Sequence, residues 1–185
     1  LAQWYSAKPF VEIDSATLPE SIRDWIQEEL SQAEYPNLRL LISTEGIGPS
    51  VSCLLMDKNG YGVSGHATKA TLLDSIESAI AETCRAAHLA IRKSFWEDSI
   101  LLKNSIAGRI DPGTHAVYYA YHEAFPQWMF GKVVDWNSAN QIWLKKMMEV
   151  DMNSFHFEAV LEEPFFVGVA SHPHILEVSW GSTNE

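Results

Sequence analysis

Between positions 72 and 91 the apolar side chains return at the helical period. Leu72, Ile76, Ala79, Thr83, Ala87 and Ala90, with Leu73, Ile80, Cys84 and Ile91 alongside, predict one helix with a broad apolar face. Ser75, Ser78, Glu82 and Arg85 fall along the edge of that face, while Asp74, Glu77, Arg85, His88 and Arg92 continue round the solvent side. The plain reading is a core helix with a solvated back. The sharper reading makes Glu82 a working carboxylate, because the helix follows the glycine-rich run Gly60-Tyr-Gly-Val-Ser-Gly-His66, a flexible joint set directly before the largest rigid element.

The rest of the chain gives shorter elements. Trp4, Tyr5, Phe10 and Ile13 surround Pro9 without helical spacing and predict an extended lead-in. Thr17-Leu-Pro-Glu20 has the form of a capping box, opening a helix to about position 33 whose face is Ile22, Trp25, Ile26 and Leu30. Apolar runs over 38–43 and 51–56, then 61–65, predict three strands, the last two joined by the tight turn Asp57-Lys-Asn-Gly60. After the long helix, positions 93–109 predict a loop and a short helical piece. A helix capped by Asp111 or Thr114 and closed by Pro126 comes next, then one led by a capping box at Ser138-Ala-Asn-Gln141. Three closing strands are expected over 155–161, 165–170 and 175–180. The sum is an α/β or α+β fold in one domain, a mixed sheet packed with amphipathic helices.

Composition narrows the partners. A chain of 185 residues with 46% hydrophobic content can bury a proper core as one domain. Its net charge of -11 supplies no basic stripe for a phosphate backbone, so nucleic acid is not an expected partner. A basic partner, or cation-assisted handling of anions, fits better. No apolar run is long enough for a membrane span. Cys53 and Cys84 lie in apolar surroundings with no disulfide spacing, which together with the lack of a signal peptide suggests reduced thiols and a cytoplasmic location. The chain begins at Leu1 rather than methionine, as expected of a processed chain or a piece of a longer one. The high tryptophan count, seven, suits either an aromatic core or a peptide-binding groove.

Several chemistries drop out on spacing. The glycines of Gly60–Gly65 lack the strand-turn-helix setting and the Lys-Ser/Thr pair of a phosphate loop. His66, His115, His122, His172 and His174 include no helical pair with a carboxylate, so no metal site is expected. Cys84 on an inner helix face makes a poor nucleophile, and no Gly-x-Ser-x-Gly elbow occurs. Glu77 and Glu82 point to different sides of their helix, so at most one serves a site.

Three runs carry a resemblance. Ile42-Ser-Thr-Glu-Gly-Ile-Gly-Pro-Ser-Val-Ser-Cys-Leu-Leu-Met56, then Tyr61-Gly-Val-Ser-Gly-His-Ala67, then Ala79-Ile-Ala-Glu-Thr-Cys-Arg85 resemble the last third of the YcaO superfamily, ATP-dependent enzymes that activate peptide backbone amides to make azolines or thioamides in modified peptides. The lead-in with Ile13-Asp14 and Leu18-Pro19 is similar to the segment preceding that unit in the cyclodehydratase branch. The resemblance implies that Glu82 matches the family's helix glutamate, with Arg85 and His66 as neighbours by position; these three are the candidate catalytic residues. This chain departs from the family at Ile47-Gly-Pro49 and at Cys84 or Arg85, where the family has glutamine, and it has no counterpart of the two acidic helices that hold ATP and magnesium. ATP and magnesium are therefore implied for a complete enzyme and not for this chain alone. A missing N-terminal segment or partner chain would complete the site around a peptide substrate.

The other function class is a non-catalytic domain of the same fold that holds a peptide or a partner protein on its aromatic surface. On the helix geometry, Glu82→Ala is expected to leave folding within about 0.5 kcal/mol, and Ile80→Ala to cost about 2–5 kcal/mol.

Overall fold

The computed structural model describes residues 8–30, 37–45, 48–105, 120–121, 124–150, 156–161 and 167–171. Strands β1 (Phe10–Ile13), β2 (Asn37–Ser43), β3 (Ser50–Met56), β4 (Gly62–Ala67) and β5 (Phe130–Val134) form one sheet in the order β4-β3-β2-β1-β5. Pairing is antiparallel from β4 to β1 and parallel between β1 and β5. Helices α1 (Glu20–Leu30), α2 (Leu72–Ser105) and α3 (Trp136–Met148) accompany this sheet. Strands β6 (His156–Leu161) and β7 (Val167–Ser171) pair antiparallel as a separate two-stranded sheet. The fold is the expected α/β arrangement of mixed sheet and helices. Among the described residues no helix is long and apolar enough to cross a membrane.

Strands β2 and β3 read as unbroken apolar runs because both faces of the sheet are covered. Leu40, Ile42, Val51 and Cys53 point to the helical side, where they meet Ile22 and Ile26 of α1, Ile76, Ala79 and Ile80 of α2, and Ala139 and Trp143 of α3. On the opposite face Phe10, Leu41, Leu54 and Met56 pack with Met129, flanked by Phe125, Trp128 and Phe130. The single-residue alternation of the strand thus feeds two cores at once.

Helix α2 presents the face that its spacing predicts: Leu72, Ile76, Ala79, Ile80, Thr83, Ala87 and Ala90 are buried, while Asp74, Glu77, His88 and Arg92 are exposed. Two features differ from expectation. The helix runs on through the expected loop at 93–109 as far as Ser105. Ser75, placed at the edge by spacing, is fully buried, because its hydroxyl donates to the Thr71 carbonyl (2.7 Å) and accepts from the Lys69 amide (2.9 Å), tying the entry loop to the first turn. Thr71 caps that turn by accepting from the Asp74 amide at 3.1 Å.

The other helix starts also moved. Thr17 does not cap α1. Its hydroxyl donates to the Asp14 carbonyl (2.7 Å) and accepts from the Trp136 amide (2.8 Å), so it closes a short 3-10 turn at Ser15–Thr17 and pins the start of α3. Helix α3 is capped by Asp135, whose carboxylate accepts from the Ser138 amide (3.0 Å) and hydroxyl (2.8 Å); Ser138 is the far end of the box rather than its cap. These bonds hold the Asp135 carboxyl below its ordinary range. The Asp57–Gly60 turn is as expected: Gly60 has φ 85°, and the Asp57 carboxylate accepts from the Asn59 (2.7 Å) and Tyr61 (3.0 Å) amides. Two of the three closing strands are present as β6 and β7. The third, and the helix start at Asp111 or Thr114, lie outside the described residues.

Candidate functional site

Two of the three residues singled out on α2 and β4 meet. Among the described residues strand β4 is an edge of the sheet, so alternate backbone amides point away from it with no described strand to accept them. The His66 amide is one of these, and the Glu82 carboxylate accepts its hydrogen bond at 2.7 Å. Glu82 thereby ties α2 to the strand edge. Arg85, one turn further on, donates from Nε to the Ala81 carbonyl of its own helix at 3.3 Å and forms no ion pair with Glu82 among the described residues. Among the described residues the three therefore supply one bond between α2 and β4 and an arginine turned back onto its own helix. No group of three or more His, Cys, Asp or Glu side chains that could hold a metal converges among the described residues. His115, His122, His172 and His174 lie outside them.

Because Glu82 satisfies an edge amide, its removal costs more than the spacing alone suggests. Glu82→Ala is expected to lower stability by about 1 kcal/mol, the usual worth of one such bond near the surface, and to raise concentration-dependent association, since it reopens the strand edge. Urea denaturation and sedimentation velocity read the two effects. An unchanged midpoint and sedimentation coefficient would remove Glu82 from the edge-capping role.

The ring of His66 is held from both sides. Nδ1 lies 2.8 Å from the Ser52 hydroxyl and Nε2 lies 3.2 Å from the Ser64 hydroxyl. Ser52 stands directly across the strand pair from His66, and Ser64 is two residues earlier on β4, so the pleat puts all three on one face. Burial lowers the His66 pKa below its ordinary value, with the Glu82 charge opposing; the residue keeps an exposed side, which limits the shift. A histidine with a depressed folded pKa binds fewer protons than in the unfolded chain, so its contribution is fully present above pH of about 6.5 and is lost as pH falls below it. Acidification from pH 7 to 5.5 is expected to lower the melting midpoint of the wild type more than that of His66→Gln. Equal losses would discard the coupling.

A second site lies at the other end of β4, beyond the Asp57–Gly60 turn. A cleft of about 590 Å³ opens there, within the range of small-ligand and peptide pockets. Its lining includes Asn37, Arg39, Asn59, Phe125, Gln127 and Phe130. Arg39 is fixed in place by three contacts: Nε donates to Glu12 Oε1 at 2.7 Å, Nη2 pairs with Oε2, and the guanidinium lies over the Phe130 ring at 3.7 Å. Its charge is thus matched by Glu12, and the amide side chains and aromatic rings share the lining with Asp57 and Lys58. Sequence reading did not find this site, because its lining comes from five separate segments that only the tertiary fold assembles. Nor did it find Ser52, which only the β3–β4 register brings to His66, or Ser64, whose sole signal was the Ser-x-His spacing on a strand.

Cys53 and Cys84 form no disulfide with each other. Cys53 is fully buried, and burial pushes its thiol up to about 12, which makes it inert as a nucleophile. No protein-family model, no curated protein and no solved structure matches this chain.

Proposed function

We propose that this chain is a binding domain that holds a peptide or protein segment in the cleft at the Asp57–Gly60 end of the sheet. The observation that carries this reading is the make-up of that cleft: the amide side chains of Asn37, Asn59 and Gln127 beside the rings of Phe125 and Phe130, around an arginine neutralised by Glu12. Carboxamides donate and accept at once, which suits the alternating groups of an extended backbone, and the rings offer flat apolar area for its side chains. The net charge of -11 favours partners with basic flanks and speeds their encounter.

Fluorescence anisotropy with labelled unstructured peptides of matched length, basic or acidic in composition, tests the reading. Basic peptides should bind, with affinity falling as salt rises, and Gln127→Trp, which fills the cleft, should abolish binding while leaving the melting midpoint in place. Binding unaffected by Gln127→Trp would move the site elsewhere. ATP-dependent amide activation of the YcaO kind, with Glu82, Arg85 and His66 in a site completed by another segment or chain, rests on the resemblance alone. Under the binding reading magnesium-ATP leaves the melting midpoint of the chain unchanged, and a nucleotide-dependent rise would favour the ATP-using reading instead.

A further inference from the structure

We propose that Ser64, with His66 as its general base and Ser52 as the group that orients the imidazole, is the nucleophile of a second site that hydrolyses small carboxylic esters. The site is distinct from the peptide cleft and lies at the other end of β4.

Three features argue for it. The first is the order of the contacts: a hydroxyl on each ring nitrogen, at 2.8 Å on Nδ1 and 3.2 Å on Nε2, is the nucleophile-base-orienter chain that serine acyl transfer needs. The second is their placement. Ser52 is only 3% exposed, whereas Ser64 is half-buried and His66 reaches solvent. The hydroxyl that must be fixed is inside, and the one that must meet substrate is outside. The third is rigidity. Beneath the pair, Gly65 lets α2 come against the backbone of β4, and Glu82 fixes the His66 amide, so base and nucleophile share a strand anchored on its far side. Burial also favours the neutral imidazole, the form that accepts a proton, while Glu82 of α2 is the charged group opposing it.

With Nδ1–H donating to Ser52 Oγ, the Nε2 lone pair takes the Ser64 proton as Oγ bonds to the ester carbonyl carbon. The carbonyl π pair moves to its oxygen, then returns and expels the alkoxide, which takes the proton from Nε2 as the alcohol. Water adds to the acyl-Ser64 carbonyl with His66 again accepting a proton. Collapse returns that proton to Ser64 and releases the carboxylic acid.

An alkyl fluorophosphonate and p-nitrophenyl acetate probe the whole chain. The expected result is one fluorophosphonate adduct, mapped to Ser64 by peptide mass spectrometry, and release of p-nitrophenol that falls about 100-fold or more in both Ser64→Ala and His66→Gln. Ser52→Ala should lower the rate and shift the imidazole 15N resonances away from the Nδ1–H tautomer, with Ser52→Thr restoring both. No adduct on the folded wild type, an adduct at another residue, turnover that survives His66→Gln, or 15N shifts showing the proton on Nε2 would each overturn the assignment.

Discussion

Gly65→Ala is expected to lower the stability of this protein by about 3 kcal/mol, at the upper end of what overpacking usually costs, and to shift the urea midpoint of tryptophan fluorescence accordingly. A β-carbon at Gly65 would lie 2.5 Å from the Thr83 amide nitrogen and 2.6 Å from both the Ala79 carbonyl oxygen and the Thr83 hydroxyl. Real β-carbons do not approach other atoms so closely, and two of these three are helix backbone that cannot swing aside. The added methyl must push α2 off β4. That displacement would loosen the contacts of Ala79 and Ile80 in the main core, and it would pull Thr83 away from the Cys53 carbonyl of β3, which it now reaches at 3.2 Å. A natural domain holds only about 5–15 kcal/mol in reserve, so the loss is large. A midpoint equal to that of the wild type would mean that α2 does not sit against this strand.

Trp143→Ala should cost about 3–5 kcal/mol, as for other buried large-to-small changes. The indole is fully buried and is among the largest side chains in the core, packed with the group that includes Ile13, Leu18, Val134 and Ala139. It is also the anchor that holds α3 to the sheet. Trp143→Phe should cost distinctly less. The buried indole N–H has no hydrogen-bond partner among the described residues, so the smaller ring removes a desolvated donor as well as some volume, and the two effects offset. The pair is read by thermal and urea unfolding followed by circular dichroism. If Trp143→Phe is as damaging as Trp143→Ala, the N–H is bonded and the explanation fails.

How much of this could be read from the residues depends on range. Spacing alone placed α2 as far as Ile91 and named its buried face there, because a helix reports its partner side within a few turns. The Asp57–Gly60 turn was legible for the same reason: Asn59-Gly60 has one economical geometry. Helix starts were less so. Thr17 and Asp135 both fit the local grammar of a cap, but Thr17 serves Trp136, and nothing in the neighbourhood of Thr17 announces that. The site residues divide in the same way. Glu82 was visible as a carboxylate at the edge of an apolar face, yet its partner is a backbone amide that only becomes an orphan once β4 is known to be an edge strand. Ser52 and His66 are brought opposite each other by the β3–β4 register, and Arg39, Glu12 and Phe130 by the pairing across β1. None of these distances along the chain is short enough to leave a periodic trace.

The placement of β1 between β2 and β5 also sets an order in time. Strands β2, β3 and β4 and helix α2 are neighbours in the chain and close through short connections, so they can form as soon as that stretch has left the ribosome. The parallel partner of β1 arrives only with Phe130–Val134, and the bond from the Trp136 amide to Thr17 spans 119 residues. Until then one side of β1 lacks its strand. Non-local pairings of this kind are slow to form and leave strand edges open to other chains meanwhile. The interval between the emergence of β1 and that of β5 is therefore when this fold is most in need of a chaperone, and slower translation there would lengthen that exposure.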